Sequence, residues 1–394
     1  MQRPRILIFT MATDWPAAAR LAGALHEAGC AVLACCPEHA FLSATRYLDR
    51  CVTVADGVEF GALAQILISL IESERIELVI PGDDFAIWLL HRLRQDLRRL
   101  HPAASVTATI DRSLCRWDRQ AELELKSRLP EAAAALGLRI PAQIADPDWA
   151  QAMDFATVNG APVVVKLDRT WGGAGVRICA DEAALQEALG YVPPALQALG
   201  APVRRTLQRY IPGRTAIAVL VAWQGRLLAG FAADKLHCHP EQTGPSTVIQ
   251  RIDHPDLMAA AAKLIEYFGF TGFADIEFRL EEGSGAPYLL EINPRAQPFC
   301  HLGRRFGADL CAALKAALTG APNPAPIPIA DPRPVALFPN EWCRDPASRY
   351  LTEAYHDVPW QDPGLLERLV EFARPHVGLA LQPTLARLDR KSVV

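Results

Sequence analysis

Phe273-Ala-Asp-Ile-Glu-Phe-Arg-Leu280 and Tyr288-Leu-Leu-Glu-Ile-Asn-Pro-Arg295 are two apolar segments in which polar residues recur at every second position. That alternation is the mark of a half-buried strand, and Glu281-Glu282-Gly283-Ser284-Gly285 between them is turn material, so the pair predicts an antiparallel hairpin. Side chains alternate across a strand, which places Glu291, Asn293 and Arg295 on one face. The partner strand can present Glu277, and with it Asp275, to the same face. Two carboxylates and an amide oxygen are hard donors of the kind Mg²⁺ takes, an ion that uses one or two protein carboxylates and completes its shell with water and phosphate. The competing reading is a salt-bridged hairpin with a solvated face, and the rest of the chain has to decide.

The chain has 394 residues, of which 51% are hydrophobic, enough to bury a large core divided among about two to four domains. A net charge of -4 gives no support for a nucleic-acid partner. No apolar run reaches membrane-spanning length, and the stretch 6–11 reads as a first strand rather than as a signal peptide. The ten cysteines form no Cys-x-x-Cys pair, which predicts reduced thiols and a cytoplasmic location. His237-Cys238-His239 lacks the second ligand pair that a zinc site needs.

From residue 5 to about 110, strand and helix patterns alternate: strands at 6–10, 31–35, 51–54 and 78–81, helices at 17–28 and 60–74. Such alternation predicts a parallel sheet flanked by helices. Its first strand-to-helix turn carries no Gly-x-Gly-x-x-Gly. Gly82-Asp83-Asp84 follows a strand directly, where ligands of open parallel sheets bind, and is a candidate substrate contact. A helical stretch is expected over 113–136, broken near Pro130 and closed by Gly137. Val163-Val-Val-Lys166 reads as a strand entering a loop whose core is Trp171-Gly-Gly-Ala-Gly175, with a return strand at 176–179. Glycine lets backbone N–H groups approach phosphate closely, so this tip can lie over one. Further strands are expected at 206–211, 216–222 and 226–232, a helix at 254–268, and a Pro-rich linker at 321–334.

Lysine occurs six times only, and Lys126 and Lys166 stand just before the Gly137 to Pro141 junction and just before the glycine loop. With Leu207-Gln-Arg-Tyr-Ile-Pro-Gly213 and the closing Glu-Ile-Asn-Pro-Arg at 291–295, this order resembles the ATP-grasp superfamily over about residues 6–318. The resemblance implies an N-terminal parallel-sheet domain (1–112), Rossmann-like and of the pre-ATP-grasp kind. It implies next a two-subdomain ATP-grasp unit of α/β and α+β character (113–320, glycine lid about 142–207), then the linker and a C-terminal extension (335–394) of unknown role. It implies ATP and Mg²⁺, with Mn²⁺ as the alternative ion. Lys126 and Lys166 would meet phosphate or adenine, Gly172, Gly173 and Gly175 would form the lid, and backbone groups of Arg209 and Ile211, flanked by Gln208 and Tyr210, would hold adenine. Glu277, Glu291 and Asn293 would bind metal. Arg295, with Lys166, would act on the reacting groups, and Lys235 with the loop Thr243-Gly-Pro-Ser-Thr247 would orient an acyl phosphate.

Two positions depart from the family pattern. Thr215 stands where many relatives carry a glutamate that grips the ribose, and Leu125-Lys126 stands where an Asp-Lys pair is common.

The activity implied is an ATP-dependent carboxylate–amine ligase acting on small molecules, with no nucleic-acid or membrane partner and a homodimer allowed. A bicarbonate-activating enzyme, as in biotin carboxylases and carbamoyl phosphate synthetases, and a non-catalytic nucleotide sensor are the alternatives.

Overall fold

The computed structural model describes residues 3–100, 104–168, 170, 172–194, 197 and 203–377. Trp171 of the glycine loop and residues 378–394 lie outside them. Strands β1 (Arg5–Phe9), β2 (Ala31–Pro37), β3 (Arg50–Val54) and β4 (Leu78–Pro81) form the expected parallel sheet in the order β3-β2-β1-β4. The strand order reverses between β1 and β4, so the loops after these two strands open a crevice at their carboxyl ends. Both faces are apolar. Leu7, Phe9 and Leu33 pack under helices Phe60–Ser73 and Asp84–Leu100, and Ile6, Ile8 and Val32 pack under helix Ala17–Glu27.

A small antiparallel sheet, order β5-β8-β6-β7, is built from β5 (Gln143–Ala145), β6 (Val163–Leu167), β7 (Val176–Cys179) and β8 (Arg205–Arg209). Helices Trp149–Asn159 and Glu182–Gly190 cover it, contributing Ala152, Leu185 and Ala188 to its core.

The large sheet has seven strands in the order β13-β12-β9-β10-β11-β14-β15. They are β9 (Gly213–Trp223), β10 (Arg226–Cys238), β11 (Ser246–Ile252), β12 (Gly272–Glu281), β13 (Pro287–Asn293), β14 (Val335–Leu337) and β15 (Tyr355–Asp357). Strand β9 shows why this sheet is central. Ala216, Ala218, Leu220 and Ala222 face helix Pro255–Phe268, whereas Ile217, Val219 and Val221 face helix Leu310–Thr319 and the N-terminal domain, so every residue of the run is buried.

The continuous helix expected over 113–136 is replaced by short turns: a 3₁₀ turn at Trp117–Arg119, a helix at Gln120–Glu124, a second 3₁₀ turn at Lys126–Arg128 and a helix at Leu129–Leu136. The break falls at Leu125, which is extended (φ -109°, ψ 115°). Pro130 sits in the first turn of the last helix, where a missing N–H costs nothing.

The stretch after residue 334 joins both halves of the molecule. β14 pairs with β11, Asp357 accepts a hydrogen bond from Arg20 on the first helix, and Thr45 donates one to Asp362. Trp342, Leu365 and Leu369 pack with Ala19 and Phe41 of the N-terminal domain.

Candidate functional site

The register of β12 on β13 sets Glu277 opposite Glu291 and Asp275 opposite Asn293. Three lysines from three other places in the chain converge on this acidic pair. Lys126, freed to point inward by the extended Leu125, lies 3.0 Å from Glu291 Oε2. Lys235 on β10 lies 3.0 Å from Glu277 Oε1 and donates to the Gly244 carbonyl (3.4 Å). Lys166 on β6 donates to the Leu290 carbonyl (3.4 Å). Asn293 donates its amide N–H to Glu291 Oε1 (3.3 Å), which directs its oxygen away from that carboxylate.

Burial alone would raise Glu291, but Lys126 and Lys166 outweigh it and hold the carboxyl down to about 2. Lys166 goes the other way. Burial is the main cause of its fall to about 8, Glu291 opposes that fall and Lys126 adds to it. Lys126 and Lys235 are raised, since Glu291 and Glu277 overcome the cost of burying them. Two carboxylates and an amide oxygen, satisfied by ammonium ions, are a fitting donor set for a hard divalent cation. Among the described residues no group of three or more His, Cys, Asp or Glu forms a cage for a metal.

A pH dependence follows from Lys166. Below about pH 8 it is an ammonium, and above it the charge is lost. If Lys166 meets phosphate as the family resemblance implies, ATP affinity should weaken by up to about tenfold per pH unit as the pH rises past 8, and titration calorimetry across pH 7–9.5 would show it. Lys166→Arg should remove the inflection, because guanidinium keeps its charge. For folding the sign is opposite: the unfolded chain, with a lysine at its ordinary 10.5, binds more protons between the two values, so this group adds stability as the pH rises from 8 to 10.5.

Beyond the acidic pair the chain turns at Pro294 and places Arg295 against the N-terminal domain. Arg295 is 7% exposed, and its NH2 lies 2.8 Å from Asp84 Oδ2. Its guanidinium stands 6.0 Å from the centre of the Trp15 ring. The Arg295 Nε and NH1, Asp275 Oδ1, Gln297 Nε2 and Trp15 Nε1 are buried without a protein partner. Asp275 is 1% exposed, and burial, followed by the charge of Glu277, pushes its carboxyl well above the usual range.

The two aspartates after β4 divide the work. Asp83 ties the crevice together, accepting from Thr10 Oγ1 (2.6 Å) and from the backbone N–H groups of Met11 (2.6 Å), Ala12 (3.0 Å) and Ala86 (2.8 Å). Asp84 reaches across to Arg295.

At the hinge, Gln208 is buried and donates to Gln143 Oε1 (2.6 Å), while the Arg209 N–H donates to the Ala142 carbonyl (2.8 Å). The residue that organises the hinge was not a candidate in the sequence reading. Arg279 donates to the Ile211 carbonyl (2.9 Å), Thr215 Oγ1 (3.0 Å) and Tyr210 Oη (2.8 Å). It thereby fastens the hinge to the strand that carries Glu277. Its spacing on β12, in step with Asp275 and Glu277, was the available signal.

The glycine loop reaches the acidic site through Lys126, which donates to the Thr170 carbonyl (3.2 Å). Gly172 and Gly173 have positive φ (60° and 77°), and a Cβ on Gly173 would stand 2.3 Å from the Thr243 carbonyl oxygen. A Cβ on Gly175 would stand 2.0 Å from Thr170 Oγ1. The loop tip is thus seated on the loop that follows Lys235.

Comparison with known proteins agrees with this architecture. Residues 207–336 match the family model described as ATP-grasp in the biosynthetic pathway with Ter operon. The chain carries the ATP-grasp fold. A relative, the arginine-specific large chain of carbamoyl phosphate synthase from Halalkalibacterium halodurans, is 30% identical over 155 residues, 37% of this chain and 14% of that one. The match thus spans only a small part of that relative. The biotin carboxylase domain of Hydrogenobacter thermophilus 2-oxoglutarate carboxylase, a dimer in complex with MgADP and bicarbonate, superposes with a TM-score of 0.61 at 18% identity, over 82% of this chain and 72% of that one. The L-amino acid ligase from Bacillus licheniformis gives a TM-score of 0.55 at 16% identity, over 81% and 75%. Among the described residues no helix is long and apolar enough to cross a membrane.

Proposed function

We propose that this ATP-grasp chain is an ATP-dependent ligase that activates a small-molecule carboxylate as an acyl phosphate and passes the acyl group to an amine. The observation that carries this reading is the in-register pair Glu277–Glu291, gripped by Lys126 and Lys235 beside Lys166, with Arg295 four residues further on. Glu277, Glu291 and Asn293 would hold Mg²⁺, or Mn²⁺ on the same donors, and the ion when bound supplies positive charge to the phosphates. Lys126 and Lys235 then turn from carboxylate to phosphate oxygens, and Lys166 turns to them from the Leu290 carbonyl. Adenine meets the hinge backbone at Arg209 and Ile211, with Gln208 and Tyr210 beside it, and Gly172, Gly173 and Gly175 close over the phosphates and keep water out.

In the first step a carboxylate oxygen bonds to the γ-phosphorus as the bond to ADP breaks, with Lys166 neutralising the developing charge. In the second the amine nitrogen bonds to the acyl carbon, and the C–O bond to phosphate breaks. The ammonium form of the amine gives up two protons, one before attack and one as the amide forms. Arg295, with two nitrogens (Nε and NH1) uncommitted, stabilises the oxyanion between these events.

The likeness to an L-amino acid ligase supports an amine acceptor. The ten cysteines are all free thiols, which supports a cytoplasmic setting. We propose a homodimer by analogy with the biotin carboxylase domain, testable by light scattering.

A screen of acid–amine pairs for ADP release, followed by ¹⁸O-labelled acid, tests the mechanism. One label per turnover should appear in the phosphate. ADP release driven by bicarbonate alone, with no label transfer from any acid, would overturn it in favour of carboxylase-type chemistry.

A further inference from the structure

Helix Asp84–Leu100 begins at the crevice between β1 and β4, and one stripe of it runs outward from Arg295. Asp84, Trp88 and Arg92 are four residues apart and share a face, with Phe85 beside them. Phe85 and Trp88 are 48% and 44% exposed, and their rings stack at 5.4 Å with planes 13° apart. Arg92 lies over the Trp88 ring at 5.7 Å and over Phe60 at 4.1 Å, which braces the pair from the side of the neighbouring helix. A stacked aromatic pair held in water costs stability, and a patch of this kind marks a binding surface.

Its inner end decides what binds. Asp84 keeps a third of its side-chain surface open while its carboxylate holds Arg295. Asp275 Oδ1, an acceptor buried without a protein partner in a residue that with Asp84 faces the charge of Arg295, makes this a built polar site, not a bare helix terminus. A carboxylate at the mouth of the site with aromatic rings one helical turn away suits an ammonium group carrying a flat, apolar substituent.

We propose that the nucleophile of the reaction is a primary amine with an aromatic substituent, its ammonium received by Asp84 and its ring laid on Phe85 and Trp88. This rests on the ligase reading for its role, but the binding it asserts is independent of turnover. Stacking on one such platform discriminates by about tenfold.

The test uses the full chain. Binding of phenethylamine and L-phenylalanine is compared with that of ethylamine and glycine, by calorimetry without ATP, for the wild type and for Phe85→Ala, Trp88→Ala and Trp88→Phe. The wild type should favour the aromatic probes about tenfold. Either alanine variant should erase the preference, Trp88→Phe should restore most of it, and melting curves should show all four proteins folded. In turnover the alanine variants should raise the KM for the amine and leave kcat at saturating amine within twofold. A wild type that does not discriminate, or a preference that survives both alanine variants, overturns the proposal. So does a change confined to the oligomeric state, which would make the aromatic pair a contact between copies. If the aromatic probes bind as stated and no acid–amine pair releases ADP, the subsite stands and the ligase reading falls.

Discussion

Glu291→Gln should lower kcat/KM for ATP by about a thousandfold, a loss of about 4 kcal/mol in transition-state stabilisation. The substitution keeps the shape of the side chain and removes one of the two carboxylates that would hold the metal. It also removes the partner of Lys126 at 3.0 Å and the chief charge that supports Lys166 as an ammonium. These two consequences give the variant a signature beyond lost activity. The Mg²⁺ concentration for half-maximal rate should rise at least tenfold, and the inflection in ATP affinity should move to below pH 8, since a buried lysine that loses its anion deprotonates more easily. Glu277→Gln should share the metal effect and leave the Lys166 inflection nearer to 8, because Glu277 is the weaker of its two supporting charges. A Glu291→Gln enzyme with ordinary turnover and an unchanged Mg²⁺ requirement would remove the acidic pair from the mechanism.

What the sequence made legible was whatever the local pattern encodes. The alternation in 273–280 and 288–293 shows which side chains share a face, with Glu277 opposite Glu291 and Asp275 opposite Asn293, whereas Arg295, expected on that face, lies past the end of β13 and beyond the turn at Pro294. The β-branched strands of the N-terminal sheet were equally plain. Helix Trp149–Asn159 was missed although Asp148 and Gln151 form a complete capping box ahead of it. The break at Leu125 was misplaced at Pro130, because a proline reads as a helix breaker unless its position in the first turn is known. What stayed hidden depends on partners remote in the chain. The alternation places Arg279 in step with Asp275 and Glu277 but does not name its partners Tyr210, Ile211 and Thr215, more than sixty residues away. Its grip on Thr215 engages the hydroxyl that stands where a ribose-binding glutamate was expected. The chain after residue 334 looked empty of chemistry, and its short strands show why: three residues each in β14 and β15 carry no periodicity, and their meaning comes from the sheet they join.

Arg295→Lys should lower kcat by about a hundredfold to a thousandfold and leave the affinity for ATP within about threefold. Lysine keeps the charge, so a purely electrostatic role would be largely preserved. The geometry argues for more than charge. Arg295 spends one nitrogen on Asp84 and keeps Nε and NH1 for other acceptors, all from one rigid plane buried between two domains. An ammonium on a flexible stem cannot hold Asp84 and present two further aligned donors at once, and removal of an oriented oxyanion donor costs on the order of a hundredfold or more. In the proposed reading ATP meets the lysines and the hinge, whereas Arg295 is paired with Asp84 of the N-terminal domain, so ATP binding should be nearly untouched. Partial reactions separate the steps: ADP formation with acid alone should persist better than amide formation, because the oxyanion develops when the amine attacks. A variant whose loss fell on ATP affinity instead would place Arg295 on the phosphates and move the acyl-transfer chemistry to other donors.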